Sequence, residues 1–403
     1  MKTRSLLLFL TLLIGFSVVA SGRTANHKKD DIAKYIFLFI GDGMGNSHVA
    51  TAESYLSYKQ GKLGGEQLLM TTFPYYGTAT TFSADRQVTC SSAAGTAIAC
   101  GKKTKNGMLG MGPDSLALKS VAYELKELGY RIGIMSNVPI NHATPASFYA
   151  HNIKRSNYYE IASEIPESKF EYFASSGFLA YNGKNGEKEP IDKYLEEKGY
   201  EVCYGLKNFN AEKKNTDRVV LCPFAASGKD VGNYTVDGQE EGDLRLCHML
   251  ETGIEFLGQK EPFFIMCEGG DIDWAAHGHK TMAMVINILE FDEAIRTAYE
   301  FYLKHPKETL IIVTADHETG GLSLGSTSKK INWKKLEKNW VDNGMKPLKD
   351  KEENEELNDK CSFGWTTGSH TGAQVPVYAI GCGAERFMGR MDNTDIKDKI
   401  LSR

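Results

Sequence analysis

The segment FFIMCEGGDIDWAAH, residues 263–277, contains an apolar run that stops at an acidic residue and a Gly-Gly pair. Apolar runs of this length, bounded by turn residues, are typical of buried strands. Asp273 and His277 are four residues apart, so on a helical turn they lie on the same side and can bind one ion. The segment therefore predicts a buried strand, a tight turn and a short helix, with Glu268 at the strand end offset toward a different ion.

Four further apolar runs also end in turn residues, and helical patterns lie between them. The runs are Tyr35–Ile40, Arg131–Met135, Leu310–Thr314 and Val375–Ile380, and the clearest helical patterns are Leu116–Leu128 and Met282–Leu303. Strands that alternate with helices pair in parallel, and helices then cover both faces of the sheet. We predict an α/β fold, a three-layer sandwich with a central, mostly parallel sheet flanked by helices and carrying surface insertions.

Three of these strands stop directly at groups that can bind cations: Asp42, Glu268 and the pair Asp316–His317. In open α/β sheets the active site lies beyond the carboxyl ends of the strands. One Asp after a strand is usually a turn residue, but three such endings indicate a metal site. A further imidazole, His370, lies just before the Val375 run. Nitrogen and carboxylate ligands together suit zinc, and all-oxygen ligands suit magnesium.

The chain is expected to form one catalytic domain, residues 23–403, with insertions at about 156–245 and 326–362. Residues 1–22 have the order of a secretory signal peptide: Lys2 and Arg4, an apolar run, then small residues. The run Leu6–Val19 is too short for a comfortable transmembrane span. We therefore expect an exported protein, periplasmic or secreted, with no membrane span.

The composition is that of an ordinary globular protein, with 403 residues, 41% hydrophobic, and a net charge of −4. Without a basic stripe, a general nucleic-acid binder is excluded. Of the eight cysteines, Cys100 and Cys267 lie in apolar or small-residue runs and are expected to be buried thiols. The better disulfide candidates, in more polar surroundings, are Cys203, Cys222, Cys247 and Cys361. We expect His279, two residues beyond His277, to face solvent.

The segment TCSSAAGTA, residues 89–97, is the candidate nucleophile segment, with small residues followed by a helical pattern. A Ser at a helix N-terminus is often only a cap. The same position also directs backbone amides at an anion, and a nearby metal could lower the pKa of the Ser91 hydroxyl. Farther along, Thr144 is a candidate neutral oxygen ligand and Arg155 is the best candidate for a bidentate contact with phosphate, although a lone Arg is usually a surface residue.

Six segments, taken in order, resemble the alkaline phosphatase family. They are IGDGMG (40–45), the Ser91 segment, HATPA (142–146), EGGDID (268–273), TADH (314–317) and HTG (370–372). Six motifs in order are far more specific than any one of them. The resemblance spans roughly residues 34–385 apart from the two insertions. It implies a phosphate monoester hydrolase that acts through a covalent phosphoserine and releases an alcohol and inorganic phosphate.

The resemblance also implies the cofactors, two Zn²⁺ and one Mg²⁺, and the residues around them. By site, these are Asp273, His277 and His370 for the first zinc; Asp42, Asp316 and His317, with the Ser91 oxygen, for the second; and Asp42, Thr144 and Glu268 for magnesium. Ser91 is implied as the nucleophile and Arg155 as the group that binds the phosphate of the substrate.

Three positions depart from the pattern of many members. Cys90 stands where the family usually has an Asp that orients the arginine. His142 and Trp274 resemble a His/Trp-type subgroup found in bacterial, exported enzymes. These three residues are therefore candidates for supporting the site rather than for direct contact with substrate.

Two other functions stay open at this point. One is a phosphodiesterase on the same scaffold, and the other is a non-catalytic metal- or phosphate-binding protein of the cell envelope. The expected partners are small phosphate monoesters, with no specific nucleic acid, and a homodimer is compatible with the resemblance. The physiological substrate is not specified by the sequence.

Overall fold

A computed structural model describes residues 32–223 and 244–403 of the chain. The predicted signal peptide and part of the first predicted insertion lie outside the described residues. The strands are β1 Tyr35–Gly41, β2 Tyr75–Thr80, β3 Arg131–Ser136, β4 Tyr172–Ala174, β5 Glu201–Tyr204, β6 Val219–Cys222, β7 Phe263–Gly269, β8 Thr309–Thr314, β9 Glu318–Thr319, β10 Ser323–Leu324, β11 Phe363–Gly364, β12 His370–Thr371, β13 Val375–Gly381 and β14 Gly389–Asp392.

Helices connect these strands. They are α1 Asn46–Lys59, α2 Ser91–Cys100, α3 Val121–Glu127, α4 Ala143–Ala146, α5 Tyr158–Ser163, α6 Ile165–Ser168, α7 Ile191–Glu197, α8 Gly205–Glu212, α9 Leu246–Leu257, α10 Asp271–His277, α11 Thr281–Lys304, α12 Trp333–Asp342, α13 Lys351–Cys361 and α14 Asp395–Ile400. None of the helices in the described ranges is both long and apolar enough to cross a bilayer.

The central sheet has ten strands in the order β14-β2-β13-β8-β1-β7-β3-β4-β6-β5. Strands β8, β1, β7 and β3 run in parallel, and every residue of β1, β7 and β8 is buried. Complete burial explains why these strands are continuous apolar runs rather than alternating patterns. Helix α11 contacts α1, α9 and α10, whereas α2 contacts α3, α4 and α14 in a separate group. The predicted three-layer α/β architecture is confirmed.

The Val375 run forms a strand as predicted, but β13 pairs antiparallel with both β8 and β2. The chain reaches β13 through the short strand β12, which enters from the active-site end of the sheet. Helices α12 and α13 lie between β8 and β13, but the chain returns through β12 to the end of the sheet at which β8 stops, so β13 runs antiparallel to β8.

The predicted helix Leu116–Leu128 is shorter than expected, because α3 begins at Val121. Residues before it are held by backbone hydrogen bonds from Gly112 to Leu116 and from Leu118 to Gly110. The Ser120 hydroxyl then caps the helix by accepting a hydrogen bond from the Tyr123 amide at 3.4 Å.

The described part of the first predicted insertion is more regular than an irregular loop. Strands β4, β6 and β5 extend the central sheet beyond β3, in parallel. In the second predicted insertion, Trp333 and Trp340 are each 5% exposed, so its helices bury apolar surface against the rest of the molecule. The division into one catalytic domain with two insertions stays a prediction.

All eight cysteines lie in the described residues and are free thiols. The predicted burial of Cys100 and Cys267 is confirmed, but the four disulfide candidates are also buried thiols: Cys203 on β5, Cys222 on β6, Cys247 on α9 and Cys361 at the end of α13. Their polar neighbours in sequence misled the prediction, because a strand can turn every second residue inward and an amphipathic helix buries one face.

Candidate active site

The carboxyl ends of the three central strands bring the predicted acids together. In the sheet register Ile40 lies beside both Glu268 and Thr314, so Asp42 and Asp316 emerge at one level of the sheet edge, two residues beyond Glu268. All three carboxylates are fully buried. Three like charges in one buried place are unfavourable unless they are protonated or bind cations.

His317 lies at the centre of one cluster, and its Nε2 atom faces three oxygens. Ser91 Oγ is 3.2 Å away, Asp316 Oδ2 is 3.1 Å away and Asp42 Oδ1 is 3.4 Å away. A single imidazole nitrogen carries at most one proton, and both of these carboxylate oxygens lack a hydrogen-bond donor. The donor set of two carboxylates, one imidazole and one hydroxyl therefore fits a divalent cation.

Asp273, His277 and His370 form a neighbouring cluster nearer the surface. His277 Nε2 is 3.3 Å from Asp273 Oδ2 and 3.2 Å from His370 Nε2. On each imidazole, Nδ1 lies within hydrogen-bond distance of a backbone carbonyl: Gly368 at 2.8 Å and Thr89 at 2.9 Å. If Nδ1 donates to the carbonyl, Nε2 keeps its lone pair toward the Asp273 carboxylate, which is the usual arrangement of a metal-binding histidine.

A third group consists of Asp42, His142 and Glu268, whose ligand atoms lie within 4.8 Å of one another. The Thr144 hydroxyl donates to Asp42 Oδ2 at 3.5 Å, and the Ser136 hydroxyl donates to Glu268. Glu268 Oε1 and His142 Nδ1 are buried without a hydrogen-bond partner. This oxygen-rich group fits a cation of the magnesium type, with His142 at its edge.

Without cations, burial changes the pKa values of these groups. Burial and the nearby carboxylates raise the pKa of Asp316 to about 7, that of Glu268 to about 8, and that of Asp42 well above its usual range. Burial also acts to raise the pKa of Asp273, but the hydrogen bond from His277 and the neighbouring imidazoles outweigh it and lower that pKa. Burial lowers the pKa of His317, so its ring is neutral.

Ser91 is the first residue of α2, and Cys90 occupies the cap position before it. The Ser91 hydroxyl is therefore not a helix cap, and it points to His317 instead. Cys90 Sγ is 3.2 Å from Ser92 Oγ and accepts a hydrogen bond from the Gly107 amide. The thiol thus braces the nucleophile segment.

The Arg155 guanidinium contacts His142 rather than Cys90, because its Nη2 donates to His142 Nε2 at 3.0 Å. Burial, together with the charge of Arg155, lowers the pKa of His142 to about 3, so the imidazole stays a neutral acceptor. The ring of Trp274 packs edge-on against His142 at 5.7 Å between centroids. His142 and Trp274 therefore lie behind Arg155.

Gly43 allows the backbone to pass between the clusters. Its φ is +70°, and a Cβ at this position would lie 2.9 Å from Asp273 Oδ1. The Gly43 amide also donates to Asp316 Oδ1 at 3.1 Å. Only glycine combines this conformation with such a close approach.

Some supporting residues were not found from the sequence. Thr319 donates to Asp273 Oδ1 at 2.5 Å, and Glu318 accepts hydrogen bonds from the Gly321 amide and the Thr371 hydroxyl. A weak signal existed, since residues 317 and 319 share one side of an extended strand end. The Glu318 side chain lies on the opposite side of this strand from residues 317 and 319, and no sequence motif indicated its supporting role.

The prediction that His279 faces solvent is wrong. The side chain is 4% exposed and stacks on Trp365 at 5.2 Å between centroids. Its φ is +52°, which turns the ring inward after the end of α10, and Nε2 lies 2.9 Å from the Thr367 carbonyl.

The family model described as alkaline phosphatase matches residues 33–176 and 179–402. The chain belongs to the alkaline phosphatase family. It is 33% identical to alkaline phosphatase 4 of Bacillus subtilis, over 92% of this chain and 89% of the relative. It is also 27% identical to the repressible alkaline phosphatase of Saccharomyces cerevisiae, over 93% and 80% of the two chains.

Solved alkaline phosphatases share the fold. The enzyme from the Antarctic bacterium TAB5 is 29% identical, with a TM-score of 0.73 over 92% of this chain and 98% of that one. A variant of the TAB5 enzyme, 30% identical with the same TM-score and coverage, has magnesium bound in its M3 site. As a member of this family, the alkaline phosphatase described here is a phosphoric monoester hydrolase, which removes the non-catalytic alternative.

Proposed function

We propose that this alkaline phosphatase transfers the phosphoryl group of small monoesters to Ser91 and then to water, with two Zn²⁺ and one Mg²⁺ bound. The observation that carries the proposal is the position of the Ser91 hydroxyl. It lies 3.2 Å from His317 Nε2, and this nitrogen also faces the buried Asp42 and Asp316 carboxylates, each of which has one oxygen without a hydrogen-bond donor. A serine hydroxyl among these potential metal ligands can be activated as a nucleophile, whereas a serine with a purely structural role does not require them.

The metal assignments follow the clusters. Asp273, His277 and His370 would hold the first zinc, and Asp42, Asp316 and His317 the second. Asp42, Thr144 and Glu268 would hold magnesium. When bound, the cations supply Lewis acidity, which lowers the pKa of the attacking hydroxyl groups and neutralises charge on the leaving oxygen.

The residues of the chain perform the rest. Ser91 Oγ forms a bond to phosphorus as its proton goes to solvent, and the bond from phosphorus to the leaving oxygen breaks. The alcohol takes up a proton, and water then cleaves the phosphoserine to give inorganic phosphate. In-line displacement requires the leaving oxygen to depart on the side opposite Ser91, toward His277 and His370. Arg155 binds two nonbridging oxygens, and neutral His142 holds its guanidinium in place.

Metal removal and the choice of ester test this function together. We expect chelation to abolish hydrolysis of 4-nitrophenyl phosphate, and zinc with magnesium to restore it, because the ligand carboxylates lose their counter-charge. Metal analysis of the active protein should give two zinc ions and one magnesium ion per chain. Faster hydrolysis of bis(4-nitrophenyl) phosphate than of the monoester would favour the phosphodiesterase instead.

We also propose that the enzyme is exported and that residues 1–22 are removed. The support is the charged, apolar and small-residue order of that segment, which lies outside the described residues. Mass spectrometry of the protein from the periplasm or medium should show a mature N-terminus near residue 23. A homodimer stays a prediction, and sedimentation of the purified enzyme tests it.

A further inference from the structure

A shallow cleft of about 470 Å³ opens beside the nucleophile segment. Its walls include Arg86, Val88, Cys90, Asn106, Ser369 and His370. We call it the leaving-group cleft. It joins the catalytic clusters at two points, since Cys90 precedes Ser91 and His370 contacts His277. The cleft therefore begins where the alcohol part of the ester would depart, so this inference rests on the proposed function.

Hydrogen bonds hold the walls of this cleft in place. Asn106 donates from Nδ2 to the Val88 carbonyl at 3.0 Å and accepts from the Cys90 amide at 3.0 Å. On the opposite side, His370 Nδ1 lies 2.9 Å from the Thr89 carbonyl. The segment between Val88 and Cys90 is thus fixed from both sides, and the cleft is formed before substrate binds. A preformed cleft binds a ligand with less loss of conformational entropy.

The charge in the cleft is positive. Arg86 lies on its wall, and no carboxylate lines it in the described part of the chain. The acid beside Arg86, Asp85, already accepts hydrogen bonds through Oδ1 from Ser83 at 3.0 Å and from the Asn106 amide at 2.9 Å. Its Oδ2 is 3.9 Å from Arg86 Nε. The two terminal nitrogens of Arg86 have no partner among the described residues, and so four N–H groups are available to an anion.

We propose that the leaving-group cleft selects phosphate monoesters whose alcohol carries a second anionic group, a carboxylate or another phosphate, and that Arg86 binds that group. A guanidinium matches either anion bidentately. The volume of the cleft, about 470 Å³, admits a glycerol- or sugar-sized alcohol. Arg86 is thereby a specificity-determining residue, distinct from Arg155, which binds the phosphoryl group under attack.

The test compares two esters that differ mainly in this second charge, 3-phosphoglycerate and glycerol 3-phosphate, with the metal-loaded enzyme. We expect Arg86→Gln to lower the ratio of their kcat/KM values by about three- to tenfold, the range for a charged hydrogen bond at an exposed site. Arg86→Lys should keep part of the ratio, because it keeps the charge. Raised ionic strength should lower the ratio of the wild-type enzyme toward that of Arg86→Gln.

Arg296→Gln is the matched control, since Arg296 is an exposed residue on α11 and its loss changes the net charge equally. It should leave the ratio unchanged. An unchanged ratio in Arg86→Gln, or an equal fall in Arg296→Gln, overturns the proposal for the cleft alone. A wild-type enzyme that hydrolyses 4-nitrophenyl phosphate but neither of these esters overturns the proposal for the cleft alone. One that hydrolyses none of the three monoesters overturns the proposed function, and this inference with it. A carboxylate ester and a second-phosphate ester, compared in the same way, distinguish the two kinds of anion.

Discussion

At the scale of single residues, the position of one hydroxyl makes the clearest prediction. Ser91 Oγ faces His317 Nε2, whereas the next hydroxyl, that of Ser92, faces the Cys90 thiol. We expect Ser91→Ala to lose turnover by several orders of magnitude, because the covalent route is removed. Inorganic phosphate should still bind, since Arg155 is untouched. Steady-state rates and isothermal titration with phosphate measure the two effects.

Ser92→Ala is the control for this substitution, because it removes a buried hydroxyl one residue away without touching His317. It should keep most of the turnover. A Ser91→Ala enzyme with undiminished kcat would contradict the phosphoserine route.

The buried carboxylates predict how the metal-free protein responds to pH. Asp316, with a pKa of about 7, and Glu268, with a pKa of about 8, hold protons that the unfolded chain has already lost above its ordinary carboxyl pKa. Buried His142, His317 and His370 have lowered pKa values, so below about pH 6.5 they bind protons in the unfolded chain and oppose this effect. Above about pH 6.5 the folded state therefore binds more protons than the unfolded state, and its stability falls as pH rises to about 8. Thermal melts of the chelated protein across this range should show a decreasing Tm.

The same thermal melts of the protein loaded with zinc and magnesium show how bound cations change this pH dependence of Tm. Bound cations hold the carboxylates ionised, so the increase in Tm on loading should grow with pH. A chelated protein whose Tm rises between pH 6.5 and 8 would show that these carboxylates are ionised without metal, contrary to the pKa values of the buried cluster.

At the scale of elements, the pairing of two very short strands fixes the position of His370. Strands β9 and β12 pair antiparallel, with His370 beside Thr319 and Thr371 beside Glu318. The Thr371 hydroxyl donates to the Glu318 carboxylate, which also accepts from the Gly321 amide. This contact joins the strand that carries His370 to the one that follows His317.

We expect Thr371→Val to speed the loss of zinc to a chromophoric chelator by about tenfold, because supporting residues of metal ligands typically contribute 10- to 100-fold in affinity. Thr371→Ser keeps the hydroxyl and should release zinc at the wild-type rate. Equal release from both variants would mean that the strand pair holds His370 without this hydrogen bond.

Elements also differ in how well the sequence predicts them. The bounds of the fully buried strands β1, β7 and β8 were predicted within one or two residues, because a short apolar run that ends in turn residues is typical of a buried strand. Strand β4 was missed, because Tyr172–Ala174 is three residues long and its neighbours are polar. The reversed direction of β13 depends on the route of the preceding chain, which no local pattern specifies.

In the candidate site, too, residues in local sequence patterns were predicted, whereas contacts between distant segments were not. Residues in contiguous motifs, such as Asp273 and His277, could be found from spacing, and the structure brings them together. The contact between Arg155 and His142 joins residues thirteen positions apart through an irregular stretch, and the inward turn of His279 depends on one backbone angle. Such through-space relations arise from packing, so spacing alone could not predict them.

At the scale of the whole molecule, the thiols make a prediction about covalent stability. Eight cysteines are unpaired, and six of them are buried, while Cys90 and Cys382 are partly exposed. We expect a reducing agent to leave Tm unchanged, because no cross-link constrains the unfolded chain. A thiol reagent should label eight groups per chain in denaturant, and chiefly these two in the native enzyme. Fewer than eight without prior reduction would reveal a disulfide.

The clusters are not equally open to solvent. The side chain of His277 is 38% exposed, whereas those of Asp42 and His317 are fully enclosed. An ion at the outer position can come and go while the protein stays folded, but an inner ion must wait for the polypeptide to open around it. If the proposed ions are bound, the outer one would therefore exchange with free metal in the medium before the inner ones, and the inner ions would be those that were bound when the chain folded.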